Sequence, residues 1–219
     1  MKLQLVETKK LFYDRYLYKV SIRNSLAHLF RAKKFDVTKY MLDALQTQHD
    51  NLQPLTIKNG LRQTTISQDT FLHAKSLYNR LHKAKVDFLI RVENPVMNIY
   101  ANDEDWILQF AKDAYLFSRP EDINLMEKNV IITDTPTDYP IKITLGEKIN
   151  TNNFANWLEN NSDKVKIGPV CLDEIKNNGF LRGLYFYVRD EKVLTLVNLA
   201  LGGGIQRIDK IVCTANIDK

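Results

Sequence analysis

Residues 16–23 read YLYKVSIR, and residues 139–145 read YPIKITL. In both stretches aromatic or apolar residues alternate with polar ones, which is typical of a β-strand with one buried face. Each stretch is followed by a segment of helical pattern that contains an aromatic residue. The similarity predicts that one α+β unit occurs twice, with a longer insertion in the first copy. Chance similarity between two amphipathic strands is the alternative.

A second pair of similar segments, residues 90–99 and 188–196, occurs in the same order as the first pair. If the duplication holds, each half is a small antiparallel sheet with helices packed on one face. This is a ferredoxin-like architecture, which is common among RNA-recognition modules. The predicted fold class is therefore α+β, with antiparallel sheets, helices on one face and, in the duplicated form, two ferredoxin-like halves.

Turn and cap residues place the remaining elements. Asp36, either Ser67 or Asp69, and either Asn102 or Asp103 are predicted to begin helices, and the Asn59-Gly60 pair predicts a hairpin over residues 55–66.

In the second half, residues 185–189 and 193–197 are predicted to form a hairpin around the turn at residues 190–192. Gly202-Gly203-Gly204 predicts a tight turn before a last strand or short helix at residues 205–212. The alternative is a loop that a phosphate backbone approaches, with Arg207 and Lys210 downstream.

The positive charge is concentrated in the first part of the chain. Residues 1–92 contain 17 Lys/Arg and 7 Asp/Glu, whereas residues 93–219 contain 14 Lys/Arg and 19 Asp/Glu. This asymmetry predicts a basic domain at residues 1–118 and an acidic domain at residues 119–219, with a single domain as the alternative. An anionic partner for the first part would explain it, and so would attraction between the halves or to a neighbouring subunit.

Lysines and arginines alternate with aromatic residues between residues 9 and 40. Cations neutralise phosphates and aromatic rings stack on unpaired bases, so the segment predicts nucleic-acid binding. On the strand at residues 16–23 the aromatic side chains share the core face, which leaves Lys19, Ser21 and Arg23 as an outer row. We therefore expect contacts to phosphates rather than base recognition. The predicted contact residues are Lys9, Lys10, Lys19, Arg23, Arg31, Lys33, Lys34, Lys75, Lys83 and Arg207.

Several kinds of site have no signature. The four histidines lack the spacing of a metal site, and Cys171 and Cys213 are isolated thiols, so we predict no metal and no cofactor. Phosphate-binding and nucleophile motifs are absent. The N-terminus has no apolar core of a secretory signal, and no apolar run is long enough to span a membrane. We therefore expect a cytoplasmic protein, in the host cytoplasm if viral, with no membrane partner.

Three functions follow from these observations. The first is a non-enzymatic nucleic-acid-binding protein, of viral or phage origin, for either DNA or RNA. The second is a structural or assembly subunit that associates with itself or with a protein partner. The third is a metal-independent ribonuclease, by analogy with CRISPR repeat-processing endoribonucleases, which also have a late glycine-rich loop. Their longer loop pattern is absent, and His28 is the one candidate base.

Overall fold

The YLYKVSIR stretch forms the central strand of a five-stranded sheet. The structure is a computed structural model that describes residues 3–59, 62–147 and 153–216. Two units are distinguished by their contacts. The first comprises residues 1–8 and 15–123, and the second comprises residues 9–14 and 124–219.

The first unit contains one five-stranded sheet, a separate hairpin, three α-helices and a 3-10 helix at Ala27–Lys33. In chain order its elements are β1 (Gln4–Thr8), β2 (Tyr18–Arg23), α1 (Phe35–Asp50), β3 (Thr56–Asn59), β4 (Arg62–Thr65), α2 (Gln68–His82), β5 (Phe88–Glu93), β6 (Val96–Ala101), α3 (Glu104–Leu108) and β7 (Ala114–Pro120).

The second unit contains another five-stranded sheet and three described α-helices. In chain order its elements are β8 (Val130–Thr133), β9 (Ile141–Leu145), α4 (Phe154–Asn160), β10 (Val165–Ile167), α5 (Pro169–Lys176), β11 (Tyr185–Val188), α6 (Glu191–Leu201) and β12 (Ile205–Cys213).

The two sheets have the same topology. The strand orders are β1-β7-β2-β6-β5 and β8-β12-β9-β11-β10, and in each sheet the edge strand that comes first in the chain runs parallel to its neighbour. All other neighbours are antiparallel. The α+β class with mostly antiparallel sheets is confirmed. The ferredoxin-like character of each half stays a prediction, which the shared topology supports.

The first pair of similar segments, residues 16–22 and 139–145, lies on equivalent strands, because β2 and β9 each occupy the centre of a sheet. The second pair of segments does not lie on equivalent elements. Residues 90–99 span the β5–β6 hairpin, whereas residues 188–196 run from the end of β11 into α6. The duplication is therefore supported by topology and by the first pair of segments alone.

The prediction of a strand at residues 193–197 is wrong, because these residues lie within α6. Val193, Leu194, Val197 and Leu201 are buried on one side, at the spacing of a helix. The side chain of Asp190 accepts a hydrogen bond of 2.9 Å from the Val193 amide and caps the helix.

β7 was not predicted from the sequence, although it follows the helix that was predicted to begin near Asp103. That helix, α3, ends at Leu108, and Ala114 begins a strand between β1 and β2. Of the predicted alternatives, Ser67 and Asp103 are the caps, since their side chains accept hydrogen bonds from the amides of Thr70 and Trp106.

The predicted cap Asp36 lies in the first turn of α1 rather than at its N-cap. The hairpin predicted over residues 55–66 forms from β3 and β4, while Gly60 lies outside the described residues.

Each sheet buries one face in its own hydrophobic core. In the first unit, Tyr18, Val20 and Ile22 of β2 face the core. In the second unit, the core contains residues from β9 and β11: Ile141, Ile143, Leu145, Phe186 and Val188. The alternate residues of these strands therefore point to the opposite face of each sheet. Among the described residues, no helix is long and apolar enough to cross a membrane.

Candidate nucleic-acid interface

The positive charge is more evenly distributed when it is counted by unit. The first unit has 17 Lys/Arg and 13 Asp/Glu, and the second has 14 Lys/Arg and 13 Asp/Glu. The asymmetry along the chain shrinks because residues 93–123, which are acidic, fold together with the basic N-terminal segment. The second unit also gains two cations, Lys9 and Lys10, from that segment.

The predicted phosphate contacts are divided between the units. Lys9, Lys10 and Arg207 belong to the second unit, and Lys9 forms an ion pair with Asp134. The others belong to the first unit: Lys19, Arg23, Arg31, Lys33, Lys34, Lys75 and Lys83.

Within the first unit the predicted outer row of β2 is only partly exposed. Ser21 is 2 % exposed, and its hydroxyl donates a hydrogen bond of 2.6 Å to Oδ1 of Asn98, which is also buried. Lys19 is half-buried. Arg23 is exposed, with its guanidinium 5.5 Å from the centre of the Tyr115 ring. This face is therefore a polar layer rather than a row of exposed cations.

The cations after β2 point in different directions. The Lys33 ammonium lies 3.7 Å from the centre of the Phe88 ring, and burial lowers its pKa. Arg31 and Lys34 instead line a groove of about 390 Å³ together with His28, whose Nδ1 lies 3.2 Å from the Ser25 carbonyl oxygen.

Lys75 and Lys83 are both exposed on or just after α2. The Lys75 ammonium donates a hydrogen bond of 2.5 Å to Oε1 of Gln46.

In the second unit, two tyrosines project from the sheet face opposite the core. Phe186 and Val188 are buried, so Tyr185 and Tyr187 point the other way. The two tyrosine rings meet edge to face, with centroids 5.6 Å apart and an interplanar angle of 79°. Tyr185 remains 46 % exposed.

Lysines flank these tyrosines on the neighbouring strands. Tyr187 lies opposite Lys142 of β9 on one side and opposite Lys166 of β10 on the other. The Lys142 ammonium lies 3.9 Å from the centre of the Tyr185 ring, within the range of a cation–π interaction. We call Lys142, Lys166, Tyr185 and Tyr187 the tyrosine–lysine face.

The first sheet contains a buried version of the same pairing. Lys19 lies opposite Tyr100 in the register of β2 and β6, as Lys142 lies opposite Tyr187 in that of β9 and β11. Tyr100 is only 6 % exposed. The tyrosine and lysine side chains of the second unit are therefore more accessible to a ligand than Lys19 and Tyr100 of the first unit.

Lys142 lies in a positive environment. Burial lowers its pKa, and the neighbouring charges of Lys10 and Arg207 lower it further, while Asp209 acts in the opposite direction. Arg207 is held by two carboxylates, with Nε 2.6 Å from Asp209 and Nη1 2.9 Å from Asp14. Within residues 3–59, 62–147 and 153–216, no carboxylate forms an ion pair with Lys142 or Lys166.

A groove of about 860 Å³ adjoins the tyrosine–lysine face. Its lining combines the two tyrosines and Lys166 with Ile131, Ile211 and the start of α5. Three threonines at the end of β8 and in the segment after it also line the groove: Thr133, Thr135 and Thr137. The groove therefore offers apolar surface, hydroxyl groups and a cation together.

The glycine run is a turn that ends α6. Gly202 has a φ of 52°, in the left-handed region that favours glycine, and its amide donates a hydrogen bond to the Asn198 carbonyl. The Gly204 amide donates to the carbonyl of Leu201. The prediction of a tight turn is confirmed, and these two amides are already engaged within the turn.

Sequence reasoning missed all four residues of the tyrosine–lysine face. The alternation in residues 185–188, YFYV, was the available signal, because Phe and Val are the more apolar pair and face the core. Lys142 was visible in the same way between Ile141 and Ile143. What the sequence did not show is that these strands are neighbours.

The comparisons with known proteins leave the chain without a relative on which to base a function: no family model, no curated protein and no solved structure matches it. Among the described residues, no group of three or more His, Cys, Asp or Glu side chains could hold a metal ion.

Proposed function

We propose that the protein binds nucleic acid without catalysing a reaction on it, and that the tyrosine–lysine face contacts the phosphate backbone. The observation that carries the proposal is the placement of Lys142 and Lys166 on either side of Tyr187. Ammonium groups neutralise phosphates and release the counterions condensed on them.

The electrostatics of Lys142 are compatible with a phosphate as an additional counterion. Its charged form is disfavoured by burial and by the cations Lys10 and Arg207, and it is favoured by Asp209, which lies opposite it in β12. A bound phosphate would relieve this repulsion. Arg207 differs, because Asp14 and Asp209 already neutralise it, so we assign it a positioning role rather than a phosphate contact.

The test is titration of a labelled single strand at about 50 mM and about 200 mM salt, over which binding through phosphates weakens strongly. We compare the double variant Lys142→Ala/Lys166→Ala with Lys164→Ala/Lys192→Ala, which removes two exposed lysines elsewhere on the same unit. The first double variant should lower the salt slope by about two, while the second should lower it by less. Absence of binding at low salt would reject the proposal.

Cleavage of RNA without a metal is a second candidate function, supported by the groove whose lining includes His28, Arg31 and Lys34. An imidazole beside two cations could remove a proton from the 2′-hydroxyl while the cations hold the phosphate. Incubation of labelled RNA with a chelator tests it, with His28→Ala expected to abolish cleavage and retain binding. Unchanged cleavage in that variant would reject the role of His28.

Association into a larger assembly is the third candidate. It is supported by Leu196 and Leu199, which are 50 % and 76 % exposed on the outer side of α6. Light scattering over a range of concentrations measures self-association. A monomer at every concentration, together with salt-dependent binding of nucleic acid, would count against it.

A further inference from the structure

Tyr185 places a partly exposed aromatic ring on the sheet face opposite the core. β11 lies inside the sheet, between β9 and β10, and the apolar residues of that strand, Phe186 and Val188, are fully buried on the other face. Nearly half of Tyr185 is nevertheless exposed. An exposed ring of this size gains stability when a flat apolar group covers it.

The surroundings of the ring are those of a site that accepts a base together with a phosphate. Lys142 lies 3.9 Å from its centre, and Tyr187 meets it edge to face. Lys166 lies opposite Tyr187 on the far side. Lys142 lies over the Tyr185 ring and Lys166 lies beside Tyr187, so that a base on the exposed part of the Tyr185 ring and the phosphate attached to it could be bound at once.

The adjoining groove supplies the space. Its volume of about 860 Å³ lies within the range of roughly 300–1,000 Å³ that is usual for sites binding small ligands. Ile131 and Ile211 provide apolar contact for a base that lies in the groove next to the Tyr185 ring. The threonine hydroxyls that line the groove can hydrogen-bond to base edges.

We infer that the tyrosine–lysine face binds unpaired nucleotides, with a base stacked on Tyr185 and the adjoining phosphate between Lys142 and Lys166. The inference rests on the proposed function and adds selectivity for single strands to it. In a duplex, the faces of each base are covered by its stacked neighbours, so only an unpaired base offers its face to Tyr185.

The experiment uses three labelled probes of equal length, which are an oligothymidine strand, an abasic strand with the same phosphates, and a duplex. The wild-type chain should bind oligothymidine roughly 10-fold or more tightly than the abasic strand, as expected for stacking of at least one base. Tyr185→Ala should lower the affinity for oligothymidine to that for the abasic strand. Tyr185→Phe, which keeps the ring, should retain the preference.

The outcomes separate the inference from the function on which it rests. Equal affinity of the wild-type chain for oligothymidine and abasic strands would overturn the inference while leaving phosphate binding in place. A preference that survives Tyr185→Ala would overturn it as well. Binding of none of the probes at low salt would reject the proposed function itself. The affinity of Tyr185→Ala for the abasic strand should equal the affinity of the wild-type chain for the same strand. Equal values show that the variant is folded.

Discussion

The ammonium nitrogen of Lys142 lies 3.9 Å from the centre of the Tyr185 ring. The two residues belong to neighbouring strands, β9 and β11, and both point away from the core of the second unit. The ring and Asp209 favour the cation, while burial and the charges of Lys10 and Arg207 disfavour it. We therefore expect the charge of Lys142 to contribute little to folding or to oppose it.

Lys142→Met should separate binding from stability. The apolar side chain keeps the packing of the stem and removes the disfavoured charge, so we expect a Tm that is unchanged or raised by up to about 3 °C. Because the pKa of Lys142 is lowered in the folded chain, its positive charge reduces the free energy of unfolding at every pH below that pKa. Any gain in Tm should therefore disappear as the pH rises toward 10.5, the ordinary pKa of lysine.

Thermal unfolding and oligonucleotide titration measure the two effects, and Lys192→Met, on an exposed site, is the control. A large loss of Tm in Lys142→Met alone would show that Lys142 is structural.

Ser21→Ala should destabilise the first unit. The Ser21 hydroxyl donates a hydrogen bond of 2.6 Å to Asn98, and both residues are buried. Removal of the donor leaves a buried amide oxygen without this partner, which costs about 1–3 kcal/mol. Urea unfolding measures the change. Ser25→Ala, at an exposed position, should alter stability by less than about 0.5 kcal/mol. Equal effects of the two changes would contradict the assignment.

His73 should make the stability of the first unit depend on pH. Its Nδ1 lies 3.2 Å from Nδ2 of Asn24, while its Nε2 is buried 3.5 Å from Asp113 and forms no hydrogen bond. Burial lowers the pKa of His73, Asp113 opposes this shift, and Arg80 adds to it. Below about pH 6.5 the unfolded chain takes up a proton that the folded chain resists.

The free energy of unfolding should therefore fall as the pH drops from about 6.5 toward the lowered pKa of His73. His73→Gln removes this titration and should show a shallower fall, whereas His82→Gln, at an exposed position, should behave as the wild-type chain. Urea unfolding at several pH values makes the comparison. Parallel curves for the wild-type chain and His73→Gln would contradict the prediction.

Asp190→Ala should weaken α6. The carboxylate accepts the Val193 amide at the start of this helix, and loss of such a cap costs about 0.5–2 kcal/mol. Asp190→Asn can still accept the hydrogen bond and should restore most of the stability. Far-UV circular dichroism and urea unfolding measure both variants. If the alanine and asparagine variants are equally stable, the cap contributes nothing.

The sequence predicted elements best where local chemistry is specific. Period-2 alternation identified β2 and β9, and side-chain caps identified the starts of α2 and α3. It was wrong at residues 193–197, because a short apolar run fits either a strand or a helix. These residues form a helix because the Asp190 side chain caps its start and because one side of α6 is buried.

The candidate site was less accessible to prediction than the elements. Of the predicted contact residues, Lys10 and Arg207 lie close enough to act on Lys142 of the tyrosine–lysine face, and Arg207 is held by two carboxylates. Counting charge along the chain favoured the first part, because it could not show that acidic residues 93–123 fold with the basic segment.

The sequence by itself determined the class of the fold and which side chains share a face of each strand. Alternation in YFYV places Tyr185 and Tyr187 opposite Phe186, and burial of the more apolar pair follows from the hydrophobic effect. Only the tertiary structure decided that β10 and β9 flank β11, which brings Lys166 and Lys142 to either side of Tyr187. Strand order depends on backbone hydrogen bonds between distant segments, and these bonds involve the same groups in every residue except proline.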